Sequence, residues 1–117
     1  MELPRDAVLL RIFIGEADAQ EGEPAFRKIV RKAREMNLAG ATVLRGPLGF
    51  GRSSHLHSST IFRLSMDLPI VIEIVDTEEK IREFLAAVEG FVGAGLITLE
   101  KVQAIFYRSV ARGRSQT

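Results

Sequence analysis

The order of hydrophobic patterns along the chain constrains its fold more than any other feature, because a strand–helix–strand order occurs twice. In the first half, residues 7–15 form an apolar, β-rich run that ends in glycine, which is typical of a strand. Pro24 suits the first position of a helix, and apolar residues continue at helical spacing to about Asn37. Gly40 is the expected end of that helix. Residues 41–45 are short and β-prone, which predicts a second strand.

The second half of the chain repeats this order. Residues 70–76 are its clearest strand, and Asp76 with Glu79 resembles a helix N-cap with its capping partner. Apolar residues then follow at helical spacing as far as Val92, and residues 96–108 are the predicted last strand. The two units predict an α+β, ferredoxin-like βαββαβ sandwich. In that fold a four-stranded antiparallel sheet carries two helices on one face.

Length and composition suit a single domain. The chain has 117 residues, of which 46% are hydrophobic, enough for an ordinary buried core. We expect one domain over residues 1–117, with an ordered core at about residues 7–108. There is no cysteine, which excludes a disulfide scaffold, a thiolate metal site and a cysteine nucleophile. The first residues lack the pattern of a signal peptide and no apolar run is long enough to span a bilayer, so we expect a cytoplasmic protein without membrane insertion.

Side-chain alternation along the strands predicts a largely apolar sheet face opposite the helices. A polar row of Arg11, Glu73 and Gln103 crosses this face, with Glu73 as the natural partner of Arg11. An exposed apolar face is typical of an interface, so we expect an oligomer; a monomer with a partly wetted face is the alternative. The predicted interface residues are Leu9, Arg11, Phe13, Val71, Glu73, Val75, Gln103 and Ile105.

The connection between the second and third strands carries the candidate binding residues. Its first part, residues 45–52, has three glycines between two arginines, and no acidic residue occurs from Arg45 to Met66. Glycines let backbone N–H groups approach a ligand, and guanidinium groups bind phosphate oxygens in pairs. This composition suits a phosphate or an acidic partner surface. The alternatives are a solvated glycine–serine loop and, for Arg45 itself, an ion pair with Asp67.

Three motifs together resemble a known family: RGxxGFG from Arg45, LSxDLPxVIEIVD from Leu64 and GLIT from Gly95. The family is the PII-like group of uncharacterised bacterial and archaeal proteins, domain of unknown function 190, and the likeness covers about residues 9–107. It implies a ferredoxin-like subunit in a PII-type homotrimer whose open sheet faces turn toward one another. It also implies that the long connection, expected to be a mobile arm, corresponds to the T-loop by which PII signalling proteins contact their targets.

The resemblance further implies an adenine nucleotide (AMP, ADP or ATP) as ligand, bound in clefts between subunits, with no cofactor required. The expected partner is an unidentified target protein, for which a membrane transporter is one candidate. The loop lacks the tyrosine that is modified in nitrogen-regulatory PII proteins, so 2-oxoglutarate sensing is not carried over. The nucleotide-binding residues that the resemblance assigns are Arg45, Gly46, Gly49, Phe50, Gly51, Arg52, Gly93, Ala94, Gly95 and Leu96.

Other classes of function find less support in the sequence. There is no Walker-type lysine and no Gly-x-Ser-x-Gly elbow, so we expect no catalytic residue and no enzyme. One alternative is a divalent-metal-binding trimer of the cation-tolerance type that uses His55 and His57. Another is a nucleic-acid-binding ferredoxin-like module. The net charge of +1 and the absence of aromatic residues from 70–76 argue against nucleic acid as a partner.

Overall fold

The computed structural model describes residues 5–17, 19–20, 22–49, 57–58 and 68–108. Four strands form one antiparallel sheet, and the side chains buried between it and two helices form the hydrophobic core. This arrangement is the ferredoxin-like α+β fold, so the predicted fold class is confirmed.

The first unit begins with a long strand and ends with a short one. Strand β1 spans Arg5–Gly15, and every second residue from Val8 onward is buried. The two-residue strands β2 (Ala19–Gln20) and β3 (Glu23–Pro24) pair with each other. Helix α1 spans Ala25–Glu35, so Pro24 precedes the helix as its N-cap and is not its first residue as predicted. Strand β4 spans Thr42–Arg45.

Helix α1 ends before the glycine that was expected to end it. Asn37 has a φ of 60°, and its N–H donates to the carbonyl of Arg34 at 3.1 Å. The N–H of Leu38 donates to the carbonyl of Ala33 at 3.0 Å. These two bonds form a Schellman motif, in which asparagine tolerates the left-handed conformation. The prediction of Gly40 as the helix end is therefore wrong, because the N–H groups of Asn37 and Leu38 already bond to the carbonyls of Arg34 and Ala33 in the last turn of the helix.

The connection after β4 begins with a short antiparallel pair. Strand β5 (Leu48–Gly49) pairs with strand β6 (His57–Ser58). Residues 50–56 and 59–67 lie outside the described residues, so the expectation of a mobile arm stays a prediction.

The second unit has the predicted order with shifted ends. Strand β7 spans Pro69–Asp76, helix α2 spans Glu78–Val88, and a short 3-10 helix, η1, covers Glu89–Phe91. Strand β8 spans Leu96–Ala104. The predicted strand over 96–108 was therefore too long at its end.

The residue that caps the start of α2 is not the predicted Asp76. Thr77 is the N-cap, and its hydroxyl accepts the N–H of Lys80 at 3.2 Å. Asp76 is buried instead, and its two carboxylate oxygens accept the N–H groups of Ala39 at 2.8 Å and Thr77 at 2.7 Å. These two donors offset the cost of burying the carboxylate. Through them Asp76 connects the turn after α1 to the end of β7.

The strand order β4-β7-β1-β8 places β1 and β7 in the centre of the sheet. Side chains on one face of these strands pack against the apolar stripes of both helices. The buried core consists of Val8, Leu10, Ile12, Ile14, Ala25, Ile29, Ala33, Ile70, Ile72, Ile74, Ile81, Phe84 and Val88.

The open sheet face carries the predicted ion pair. Arg11 lies opposite Glu73 in the register of β1 and β7, and its Nε donates to Glu73 Oε2 at 3.0 Å. A second bond runs from Nη1 of Arg11 to Oε1 of Glu100 at 3.3 Å. The Glu73 hydrogen bond raises the pKa of Arg11 above its ordinary value, although burial acts in the opposite direction. The prediction that Glu73 is the partner of Arg11 is confirmed.

The prediction that Gln103 is the third member of the polar row is wrong. Thr98, not Gln103, lies opposite Arg11 on β8, whereas Gln103 pairs with Asp6. Asp6 has the strand parity of Val8, whose side chain faces the helices, so Gln103 belongs to the helix side of the sheet. The sequence-based alternation of β8 had the wrong phase, because the pairing with β1 sets that phase.

Candidate functional site

The predicted binding residues lie at one end of the sheet, on its two opposite edges. On one edge β4 ends at Arg45, which lies opposite Ile70, and on the other β8 begins at Leu96, which lies opposite Phe13. Three strand spacings separate these edges, or about 14 Å across the sheet. Within one chain the width of the sheet thus separates the backbones of the two sets of residues.

Arg45 has an ionic partner within the chain. Its Nη2 lies 2.6 Å from Oε2 of Glu16, the residue that follows β1. The Arg45 side chain is 50% exposed, whereas that of Glu16 is only 13% exposed. Asp67, the ion-pair partner considered from the sequence, lies outside the described residues. Arg45 is thus both a member of an ion pair and a half-exposed cation at the base of the long connection.

Glu16 is a site residue that the sequence did not single out. Its Oε1 is shielded from solvent and has no hydrogen-bond partner among the residues that the structure describes. Its N–H donates to the carbonyl of Leu68 at 2.7 Å, which attaches its backbone to the start of β7. In the sequence Glu16 belongs to an acidic stretch that looks like an ordinary surface run. The only available signal was an acid directly after the glycine that ends a strand.

At two of the predicted binding glycines, neighbouring atoms leave little room for a side chain. A Cβ on Gly95 would lie 2.6 Å from the carbonyl oxygen of Phe13, which is closer than real contacts allow. A Cβ on Gly46 would lie 3.0 Å from Cγ of Pro69, and the Gly46 N–H donates to the Pro69 carbonyl at 2.8 Å. A Cβ on Gly93, by contrast, would meet nothing within 4 Å. Close packing therefore accounts for Gly95 and Gly46 without a ligand.

The remaining predicted residues divide into two groups. Ala94 and Leu96 are exposed beside Gly93, and Leu96 is 58% exposed. Gly49 and His57 lie opposite each other in the β5–β6 pair. Phe50, Gly51, Arg52 and His55 lie outside the described residues, so their assignments stay predictions.

A cavity of about 600 Å³ lies at the other end of the sheet and contains none of the predicted site residues. Two hydrogen bonds join residues of its lining: Lys80 Nζ donates to the Asn37 carbonyl at 2.5 Å, and the Tyr107 hydroxyl donates to the Ala39 carbonyl at 2.7 Å. Its acidic side chains outnumber its basic ones, which does not suit a phosphate ligand. The charged residues that line it are Arg5, Asp6, Asp76, Glu78, Glu79 and Lys80.

Charged side chains also cover the outer side of α1. Arg31 donates to Glu23 from Nη1 at 2.6 Å and from Nη2 at 2.9 Å, a bidentate pair that links α1 to β3. This hydrogen-bonded pairing lowers the pKa of Glu23 and raises that of Arg31.

Two classes of feature do not occur among the residues with described positions. No group of three or more histidine, cysteine or acidic side chains converges there in a way that holds a metal ion. The helices there also lack the length and apolar character needed to cross a bilayer.

Comparison with protein families gives a match over most of the chain. Residues 7–104 match the DUF190 family, whose description reads "Uncharacterized ACR". A UPF0166 protein of Aquifex aeolicus is 43% identical over 98 residues, which are 84% of this chain and 92% of the relative. A UPF0166 protein of Methanocaldococcus jannaschii is 39% identical over 79 residues, covering 68% of this chain and 72% of the relative.

Solved structures share the fold at low sequence identity. CPII from Thiomonas intermedia K12, a nitrogen regulatory PII-like protein bound to ADP, AMP and bicarbonate, has a TM-score of 0.67 at 16% identity, covering 86% of this chain and 89% of that one. A candidate PII-like signalling protein from Thermus thermophilus has a TM-score of 0.61 at 15% identity, with coverages of 86% and 90%. At such identities these likenesses establish the fold alone.

Proposed function

Because the chain belongs to the DUF190 family, a family with a PII-like fold, we propose that it is a regulatory protein that binds an adenine nucleotide in clefts between subunits. It acts on a partner protein through the connection between β4 and β7, with a membrane transporter as one candidate partner and the cytoplasm as its location. The observation that carries the proposal is the position of Arg45. This half-exposed guanidinium stands on the last residue of β4, where that connection begins.

The open sheet face supports the proposed assembly, a homotrimer. Leu44 and Val75 are 48% and 37% exposed there, and a second copy packed on this face would cover such apolar side chains. The Arg11–Glu73 pair lies among them, and a hydrogen-bonded ion pair tolerates burial at an interface better than an isolated charge. A ring of copies packed through this face brings the β4 edge of one copy near the β8 edge of the next.

The proposed contacts follow from the chemistry of the two edges. The Arg45 guanidinium binds phosphate oxygens by charge-assisted hydrogen bonds, aided by Arg52 and the N–H groups of residues 49–52. Leu96 and the turn at Gly93 from the neighbouring copy pack against the base, since Leu96 offers an exposed apolar side chain. Binding orders the connection and thereby changes the surface that a partner meets. The proposal contains no catalytic step.

Calorimetric titration with AMP, ADP and ATP tests the proposed ligand class. We expect saturable binding of at least one nucleotide below millimolar concentration, with up to one site per subunit. Adenosine serves as the control, because it has the base and ribose but no phosphate for Arg45. If none of the three nucleotides binds below millimolar concentration, the nucleotide proposal is wrong and the connection is better interpreted as a docking segment for a partner.

A further inference from the structure

The ion pair at the base of the connection joins two strands that are not neighbours in the sheet. Glu16 follows β1 and Arg45 ends β4, and β7 lies between these two strands. The N–H of Glu16 is bonded to Leu68, and the N–H of Gly46 to Pro69, at 2.7 and 2.8 Å. Both backbones are therefore attached to the start of β7. The two side chains meet across it with only 2.6 Å between nitrogen and oxygen.

The two members of this pair differ in their exposure. Arg45 is half exposed, but Glu16 is largely buried, and in the described part of the chain its Oε1 has no hydrogen-bond partner. A shielded carboxylate oxygen without a donor is unfavourable, and the bond from Arg45 to Oε2 offsets part of that cost. If Arg45 turns away, Oε2 also loses its partner among the described residues. The Glu16 carboxylate thus opposes any movement of the guanidinium toward another anion.

Carboxylates and phosphates bind the same N–H groups of a guanidinium. We propose that Glu16 competes with the phosphate of the ligand for Arg45 and thereby sets the affinity of the site. This inference rests on the proposed function, because it requires that Arg45 binds phosphate. Ligand binding then also breaks the ion pair that links the residue after β1 to the last residue of β4, at the point where the connection to β7 begins.

The test compares Glu16→Gln with wild type by calorimetric titration of ADP and adenosine. Glutamine keeps the size of the side chain but removes the charge that holds Arg45. We expect the variant to bind ADP about tenfold more tightly, the lower end of the range for one charge-assisted hydrogen bond. Adenosine has no phosphate, so its binding should not improve. Combining Glu16→Gln with Arg45→Ala should abolish the gain, because no guanidinium is left to release.

Glu23→Gln is the matched control, since Glu23 also pairs with an arginine at 2.6 Å but lies on β3 beside α1. We expect no change in its affinity for ADP. Thermal unfolding of each variant verifies that it is folded, and Glu16→Ala is the second variant if glutamine is not tolerated at this buried position. It should give a gain in the same direction.

The outcomes separate this inference from the proposed function. If wild type binds ADP and both Glu16 variants bind it equally or more weakly, Glu16 does not compete and the inference is wrong, while the nucleotide proposal stands. If ADP and adenosine gain equally, the effect does not involve phosphate and the inference is again wrong. If neither wild type nor any Glu16 variant binds AMP, ADP or ATP, both proposals are wrong. Binding by Glu16→Gln alone would support the competition strongly.

Discussion

At the scale of single residues, Arg45 and the glycines at the two sheet edges have structural contacts of their own at positions that we propose to bind the ligand. Arg45 has a partner in Glu16 and is still half exposed. Gly95 allows β8 to approach β1, although it also belongs to the turn that the family resemblance assigns to the ligand. Substitutions at these positions must therefore be measured for stability and for affinity separately.

Replacing Arg45 with alanine should weaken nucleotide binding roughly ten- to hundred-fold, because it removes a charge-assisted contact to phosphate. Arg45→Lys should recover only part of the loss, since an ammonium group does not bind two oxygens in parallel. Calorimetric titration gives both values. Arg31→Ala is the control: it removes another arginine that is paired with glutamate at 2.6 Å but lies on α1. Equal losses in the two alanine variants would contradict a specific role for Arg45.

Gly95→Ala should destabilise the protein by about 1–3 kcal/mol, the usual cost of forcing an added methyl into a packed site. The new Cβ would lie 2.6 Å from a backbone carbonyl oxygen, which cannot rotate away as a side chain can. Gly93→Ala is the matched control, because its Cβ would meet nothing within 4 Å. Urea unfolding measures both variants. A Gly95→Ala protein as stable as wild type would show that β1 and β8 are less closely packed here.

At the scale of elements, the ends of both helices depend on individual polar groups. α1 ends in a Schellman motif at Asn37, and Thr77 is the N-cap that precedes α2. The carboxylate of Asp76 then joins the turn after α1 to the start of α2. These hydrogen bonds lie at the end of the sheet opposite Arg45, where α1 ends and α2 begins.

Thr77→Ala should lower the free energy of unfolding by about 1 kcal/mol, because the N–H of Lys80 loses its acceptor. Thr77→Ser keeps a hydroxyl and should stay close to wild type. Urea unfolding followed by circular dichroism measures the difference. A serine variant as unstable as the alanine variant would assign the effect to the lost methyl group instead of the cap.

The bidentate pair between β3 and α1 should make stability depend on pH. Pairing with Arg31 lowers the pKa of Glu23, so the folded state favours the ionised carboxylate. Its contribution is present above the ordinary glutamate pKa of 4.5 and is lost as the pH falls through the lower pKa of the folded state. Glu23→Gln should therefore be less stable than wild type at pH 7, with a difference that shrinks in acid.

Urea midpoints at pH 7 and at pH 3 test this prediction. The effect should be small and sensitive to salt, because the pair lies on the surface. Glu83→Gln, on the exposed side of α2, is the control for a general loss of negative charge. A difference between wild type and Glu23→Gln that grows in acid would reverse the expected sign.

At the scale of the whole molecule, we expect a homotrimer held through the open sheet face. Light scattering should give about 39 kDa for three 13.0 kDa chains. Val75→Glu adds a charge to that face and should shift the mass toward the monomer, because an unpaired charge is costly at an interface. Ala86→Glu adds the same charge on the exposed side of α2 and should leave the mass unchanged. A wild-type mass near 13 kDa at micromolar concentration would contradict the assembly.

The sequence by itself determined the order of the main strands and helices and the faces of the central strands. Apolar periodicity is a local property, so residues 7–15 and 70–76 were recognisable as strands with one buried side. The predicted topology makes these two strands neighbours. The alternation of their side chains therefore also predicted the Arg11–Glu73 pair. The RGxxGFG motif at Arg45 likewise pointed to the edge of the sheet where the candidate site lies.

Only the tertiary structure decided how distant elements align. The phase of β8 depends on its pairing with β1, so Thr98 rather than Gln103 faces Arg11. Glu16 and Arg45 are far apart in the chain, and they meet because β1 and β4 both flank β7. Local patterns specify which side of an element is apolar, but contacts between elements depend on strand order and register. Those are set by the burial of the whole core and not by any one segment.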